Sequence, residues 1–333
     1  EDRRSGPGRV WNRIPDEVRG QLIDLALERP ELSPRELAVT FTDRAGHEIG
    51  KRGILHDDSI DLDNLPDHLI KAVLATHNET ATGVKSDIAG IRRAMDAAGH
   101  PAMLFVDGVS SIASMPFDFA GWGVDIAVAG SQKGFMLPAG LAILGVSPRA
   151  IAAMETARLP RTFFDFKDML AAYARGGYPY TPAVGLIAGL AHSIDLLEAE
   201  GLENVYARHH RLAEGVRRAV FAWGMAPYAA SADLCSDTVT AVRVPEGCDG
   251  TALVQLAASK YGMAFGVGLG EVAGKVFRIG HLGMLTEAMV LSGLAVAEMC
   301  MADLGWKVKL GSGVAAAQEY YRGTVPAMAL AAE

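Results

Sequence analysis

The sequence predicts an α/β protein, a parallel sheet flanked by helices, followed by a smaller α+β section. Three observations carry this reading. Short apolar runs at 69–76, 102–106, 126–129 and 141–146 alternate with helical or polar segments. Strands without polar alternation belong to sheets covered on both faces, and such sheets are parallel. Three of the runs stop on polar clusters: Thr76-His77-Asn78-Glu79-Thr80, Asp107-Gly108 and Gly130-Ser131-Gln132-Lys133. Ligands of such sheets collect at the carboxyl ends of strands, so these clusters are expected on one rim.

The elements follow in order. Residues 11–43 read as two short helices: Val18, Leu22 and Leu25 repeat at helical spacing, and the run stops near Pro30. Ser33-Pro34-Arg35-Glu36 then supplies an N-cap, a proline at the first helical position and a capping-box glutamate. This is either a helical hairpin or half of a DNA-reading unit. Residues 44–68 are polar and read as a junction. A strand at 69–76, a helix at 88–98 and strands at 102–106, 126–129 and 141–146 form the sheet. A long helix at 183–199 follows the loop GGYPYTP, and another spans 203–223. Strands near 238–244 and 276–279 and a helix at 286–304 close the smaller section. The expected domains are 1–43, 44–68, a large domain over 69–200 and a small domain with its tail over 201–333.

Composition sets outer bounds. Of 333 residues, 50% are hydrophobic and 21% charged, which suits a globular protein with a sizeable core. A net charge of −8 speaks against a general nucleic-acid or anionic-membrane binder. The polar start EDRRSGPGR lacks the apolar segment of a signal peptide. The apolar stretch 288–306 is broken by Glu298 and Asp303, so it reads as a core helix. Cys235, Cys248 and Cys300 show no metal-ligand spacing. A cytoplasmic protein with reduced thiols and no metal is expected.

Two residues on the predicted rim carry chemistry. A lysine after a core strand is most often a solvated charge, but Lys133 sits among Gly130, Ser131 and Gly134, which leave room for something bulky and planar. A desolvated lysine can form a Schiff base with an aldehyde. Asp107 could simply cap the turn through Gly108 and Ser110. Held deep at a strand end, it would instead keep a pyridine nitrogen protonated and make that ring an electron sink. One lysine and one aspartate on adjacent strand ends form the two-part signature of a pyridoxal 5'-phosphate (PLP) site.

The motifs HNETATG, VDGVSS and GSQKG, in this order and spacing, resemble those of class V PLP-dependent aminotransferases, of the aspartate-aminotransferase-like fold type I. LATHNETATGVKSDIA, ETARLPRTFF, GYPYTP, GKVFRIGHLG and LGSGVAAAQE are most similar to the glyoxylate-utilising members, aspartate–glyoxylate and serine–glyoxylate aminotransferases. The resemblance covers residues 69–325. It implies that Lys133 holds PLP and shuttles the Cα proton, and that Asp107 pairs with the pyridinium nitrogen. It places Thr80 by the phenolic oxygen and Gln132 near the phosphate. Tyr178 and Thr181 would reach the phosphate of the neighbouring subunit, which implies a homodimer with shared sites. Arg278 would clamp the substrate α-carboxylate. His77 and His281 lie in matching motifs without an assigned role. The glycines of 266–270 (GVGLG) do not open a helix after a strand and are not read as a phosphate loop.

Residues 1–68 show none of the family's N-terminal arm, phosphate cup or stacking aromatic. The N-terminal half of the large domain is thus expected to be missing. Residues 11–43 resemble instead the start of a helix-turn-helix region in insertion-element transposases, without its recognition helix or a basic footprint. Three functions remain open: transamination from aspartate or serine to glyoxylate, giving glycine; a remnant with little or no activity; or other class V chemistry, lyase or desulfurase.

Overall fold

The computed structural model describes residues 70–157 and 163–324. The helical hairpin and the junction expected at 1–68 lie outside the described residues.

Strand β1 (Ala72–Thr76) leads into a two-stranded antiparallel ribbon of β2 (Asn78–Glu79) and β3 (Val84–Lys85). Helix α1 (Ile88–Ala97) starts where the Asp87 carboxylate accepts the Gly90 N–H at 2.7 Å, an N-cap that satisfies one orphan donor. Strands β4 (Met103–Asp107), β5 (Ile126–Gly130) and β6 (Ala142–Val146) complete a four-stranded sheet in the order β1-β4-β5-β6. Strands β1, β4 and β5 are parallel, with Thr76 opposite Asp107 and Asp107 opposite Val128. The polar clusters therefore do share one rim.

Two features of the sheet differ from expectation. Strand β6 runs antiparallel to β5, with Ile126 opposite Val146. The short connection 131–141 permits only this direction, because a parallel return needs a crossover of a dozen or more residues. The sheet is also well packed on one face only. Leu104, Val106 and Ala127 are buried with Ile88 and Met95 of α1. On the opposite face Leu74 is 57% exposed and Leu144 39%.

Helix α2 (Pro148–Thr156) follows. Residues 156–177 fall in a separate compact unit, whose helix α3 (Phe166–Tyr173) is N-capped by Asp165. Helices α4 (Val184–Glu200) and α5 (Leu202–Ala222) meet at Gly201, whose φ of +81° favours glycine. Strand β7 (Val239–Arg243), helix α6 (Gly250–Tyr261), strands β8 (Gly266–Val267) and β9 (Val276–Gly280), and helices α7 (Glu287–Asp303) and α8 (Ser312–Gly323) complete the order. The second sheet is antiparallel, β7-β9-β8. Phe277, Val242, Leu253, Val216, Leu294 and Met301 are all at most 1% exposed and form its continuous core with α5, α6 and α7.

Helix α8 is docked by polar groups as well as by packing. Glu298 of α7 is 2% exposed, and its carboxylate accepts from Trp223 Nε1 at 2.9 Å and the Gly313 N–H at 2.7 Å, so the charge lies at the helix N-terminus. Arg211 of α5 donates to the Tyr321 carbonyl at 2.6 Å, to Thr324 Oγ1 and to Glu287 Oε1 at 2.9 Å. Among the described residues no helix is long and apolar enough to cross a membrane.

Candidate active site

The site is assembled from two turns that leave neighbouring strands. Asp107 ends β4, and its Oδ1 accepts the Val109 N–H at 2.9 Å, the turn-capping bond expected of an aspartate there. Its other oxygen has no hydrogen bond among the described residues and is open to a ligand. The turn that follows coils back on the Gly108 carbonyl, which accepts from the Ser111 and Ile112 N–H groups. It passes through Ala113 at φ +63°, a left-handed conformation that costs energy for any residue bearing a Cβ.

Lys133 leaves β5 on a second turn, closed by the Met136 N–H on the Lys133 carbonyl at 2.9 Å and the Leu137 N–H on Ser131 at 3.0 Å. The fully buried Ser131 ties the loop's return, donating to the Pro138 carbonyl at 2.8 Å and accepting the Leu141 N–H. The glycine beside the lysine has a steric cause. A Cβ on Gly134 would lie 2.2 Å from the Ile112 carbonyl oxygen, so the lysine turn packs directly on the backbone of the aspartate turn. Gly130 similarly admits the Gln132 amide, which a Cβ there would meet at 2.8 Å. Lys133 is half-buried, and its amine has no partner among the described residues.

The β2–β3 ribbon adds a third wall. Thr80 Oγ1 donates to Ser110 Oγ at 2.8 Å, and Asn78 Nδ2 and Thr238 Oγ1 both donate to the Ser110 carbonyl, at 3.3 and 2.9 Å. Ser110, legible in the sequence only as part of VDGVSS, thus joins the ribbon, the aspartate turn and the second sheet. Arg278 of β9 reaches the same corner, donating from Nε to the Val267 carbonyl at 2.8 Å and from Nη1 to the Thr80 carbonyl at 3.0 Å. A Cβ on Gly266 would come within 3.0 Å of Arg278 Nε, so that glycine, no phosphate loop, makes room for the guanidinium. A guanidinium carries five N–H donors, and these two bonds leave enough for a bidentate carboxylate. Partial burial draws the Arg278 pKa down, with Glu79 opposing, yet it stays cationic.

The two unassigned histidines are structural. His77 meets the Phe117 ring at a tilt and the Trp122 ring edge-on, and its Nδ1 pairs with Ser111 Oγ at 2.9 Å. Burial, helped by Lys85, pulls its pKa down to about 4, so it is neutral. His281 lies between Thr240 Oγ1 and the Asp237 carbonyl, at 2.9 Å each, and burial lowers its pKa to about 3.

Lys133, Asp107, Gln132, Thr80 and Arg278 are therefore brought to one rim and its adjoining corner. Tyr178 and Thr181 are not: both are exposed on the segment entering α4, Tyr178 by 60%, and neither hydrogen-bonds to the others.

The chain matches the family described as aminotransferase class-V over residues 34–270. It is 69% identical over 260 residues to an L-aspartate–glyoxylate aminotransferase of Paracoccus denitrificans, covering 78% of this chain and 66% of that protein. A serine–glyoxylate aminotransferase of Hyphomicrobium methylovorum is 57% identical over 256 residues, covering 76% and 63%. Among solved structures, pyridoxamine–pyruvate aminotransferase from Mesorhizobium loti matches with a TM-score of 0.72 at 37% identity, over 76% of this chain and 65% of that one. The chain spans just under two thirds of the length of these relatives.

PLP is the cofactor of this family and of its fold type I neighbours. The residues present fit it. Among the described residues, Lys133 offers an unpaired amine, Asp107 a free carboxylate oxygen, and the buried Asn78 Oδ1 beside Thr80 lacks a hydrogen-bond partner. A match of this extent, on a sheet whose rim carries a lysine and a strand-end aspartate on two turns packed together, means that the chain belongs to the class-V aminotransferase family.

Proposed function

We propose that the protein transfers an amino group from aspartate or serine to glyoxylate, yielding glycine. Bound PLP would supply an electron sink for the carbanion that forms when the donor loses its Cα proton. Lys133 would hold the cofactor and, once displaced by the donor amine, carry that proton on Nζ. The Asp107 carboxylate would keep the proton on the ring nitrogen. Thr80 Oγ1 would lie against the phenolic oxygen, and the Gln132 amide, folded over Gly130, against the phosphate. The free donors of Arg278 would bind the substrate α-carboxylate and fix the Cα–H toward the lysine. Tyr178 and Thr181, both exposed, suit the expected homodimer, in which they would reach the partner's phosphate.

The observation that supports this reading most is the unpaired amine of Lys133, wedged against the aspartate turn through Gly134. Reduction with borohydride in the presence of PLP, followed by peptide mapping, is expected to label Lys133. Label elsewhere with Lys133 unmodified refutes the assignment. A second reading is that the chain binds PLP without turnover. Labelled Lys133 with no glycine formed from aspartate, serine or glyoxylate mixtures would select it.

A further inference from the structure

The Lys133 turn and the Arg278 strand come from different sheets, and one corner of the molecule joins them. The segment 281–283 follows β9 directly. Gly283, at φ +89°, is held through both of its backbone polar groups by consecutive residues of α5. Its N–H donates to His209 Nε2 at 3.0 Å, and its carbonyl accepts from Arg208 Nη1 at 2.7 Å.

Each holder is itself fixed. His209 is 1% exposed and bonds the Val205 carbonyl through Nδ1 at 2.7 Å, which leaves Nε2 as the acceptor. Arg208 forms a two-bond fork with Glu200, Nε to Oε1 at 2.6 Å and Nη2 to Oε2 at 3.0 Å. Glu200 ends α4, so the fork braces the bend at Gly201.

Met136 meets this corner from the other side. Gly283 has no side chain, but a Cβ there would meet Met136 Cγ at 3.7 Å, so Met136 is the side chain that faces Gly283. Met136 packs with Ala113, Leu197 and Val205, and its own φ is +58°. A methionine backbone in that region persists only where its surroundings hold it. Its N–H closes the turn on the Lys133 carbonyl.

We propose that Arg208 and His209 are positioning residues that grip Gly283 and, through Met136, which faces Gly283 and packs on the Val205 that His209 bonds, hold the Lys133 turn and the Arg278 strand in one fixed relation. The inference rests on the proposed roles of Lys133 and Arg278 as the two reactive cations. Its test uses the chain without PLP, so it can fail independently of that reading.

Acetic anhydride and phenylglyoxal, followed by peptide mapping, report the reactivity of Lys133 and Arg278, and hydrogen exchange reports the amides of Gly283 and Met136. In Arg208→Leu and His209→Leu, exchange at both amides is expected to rise about tenfold, as for loss of one buried hydrogen bond. Lys133 and Arg278 reactivities are expected to change severalfold with them. His209→Gln, whose side-chain oxygen can still accept from Gly283, is expected to restore both. Met136→Ala, which removes the side chain facing Gly283 and its packing on Val205 without touching the grip, is expected to alter Lys133 while Gly283 stays protected. Faster exchange at Gly283 alone, with Lys133 and Arg278 unchanged, would overturn the proposal. So would an unchanged Lys133 in Met136→Ala, a variant that leaves every hydrogen bond of the corner in place should the leucine variants fail to fold.

Discussion

Strand β5, which delivers Lys133, and strand β9, which carries Arg278, are supported in opposite ways. Strand β9 is central in its sheet; Phe277 and Ile279 are buried in the core with α5, α6 and α7, and Val276 is buried on the other face with Ala241 and Val272. The sheet of β5 is packed on the face toward α1, while Leu74 and Leu144 stand exposed on the other. The arginine proposed to bind substrate is thus mounted on a closed core, and the lysine proposed to hold the cofactor on a half-covered one. The lesson is that the lysine turn is supported by local packing, at Gly134, Ala113 and Met136, more than by the sheet behind it.

The largest expected effect tests the core difference directly. Leu294 and Leu104 are both fully buried. Leu294→Ala is expected to lower the unfolding free energy by about 3–5 kcal/mol, and Leu104→Ala by about 2–3, because the smaller cluster can relax into the space. Urea unfolding of the two variants measures both, and equal losses would break the comparison.

Acid should separate the two regions next. His77 supports the rim of the first sheet and His281 the second, and both are neutral because burial depresses their pKa values to about 4 and about 3. Between these values and 6.5 the unfolded chain binds more protons, so the stability each provides is complete above pH 6.5, declines as pH falls below it and is gone once pH is below the folded value. For His77 that loss reaches about 3 kcal/mol below pH 4. His210, raised by its bond to Asp237, acts in the opposite sense and offsets part of it. Asp237 and Glu287, held below their usual values, add losses only further down. Urea midpoints at pH 7, 5.5 and 4.5 are expected to fall steadily, with the amides around His77 losing protection before those around His281. A flat profile down to pH 5 would show that His77 is not the buried neutral base described.

The smallest effect is expected on the open face. Leu74→Ser and Leu144→Ser should each change stability by within about 0.5 kcal/mol, as for surface positions. A loss of 2 kcal/mol or more, the scale of a buried leucine, would show in a melting experiment that this face is covered in solution.

Much of this fold is legible in the residues, and the exceptions have physical reasons. The rim residues Asp107 and Lys133 declare themselves because strand ends and small neighbours are local features. Helices α4, α5 and α7 carry long apolar patterns and fall within a residue or two of expectation. Strand direction is not local: the run 141–146 reads as a buried strand in either orientation, and only the short connection before it decides for antiparallel. Helix α6 was hidden by weak amphipathicity, although Asp249, which accepts the Thr251 N–H at 2.8 Å, and the left-handed Gly262 mark its two ends. Contacts such as Arg208 to Gly283 span 75 residues, and no window of sequence displays them.

The docking of α8 has a consequence in time. Arg211 finds its carbonyl partner 110 residues later, at Tyr321. During synthesis the face of α5 that carries Arg211 waits, apolar neighbours uncovered and guanidinium half-satisfied, until residues 321–324 have left the ribosome. At about 5–20 residues per second that wait is on the order of ten seconds, far longer than helix formation. The closed core that makes the second sheet the firmer half once folded therefore also makes it the last to be finished, and the most in need of shielding while the chain is being made.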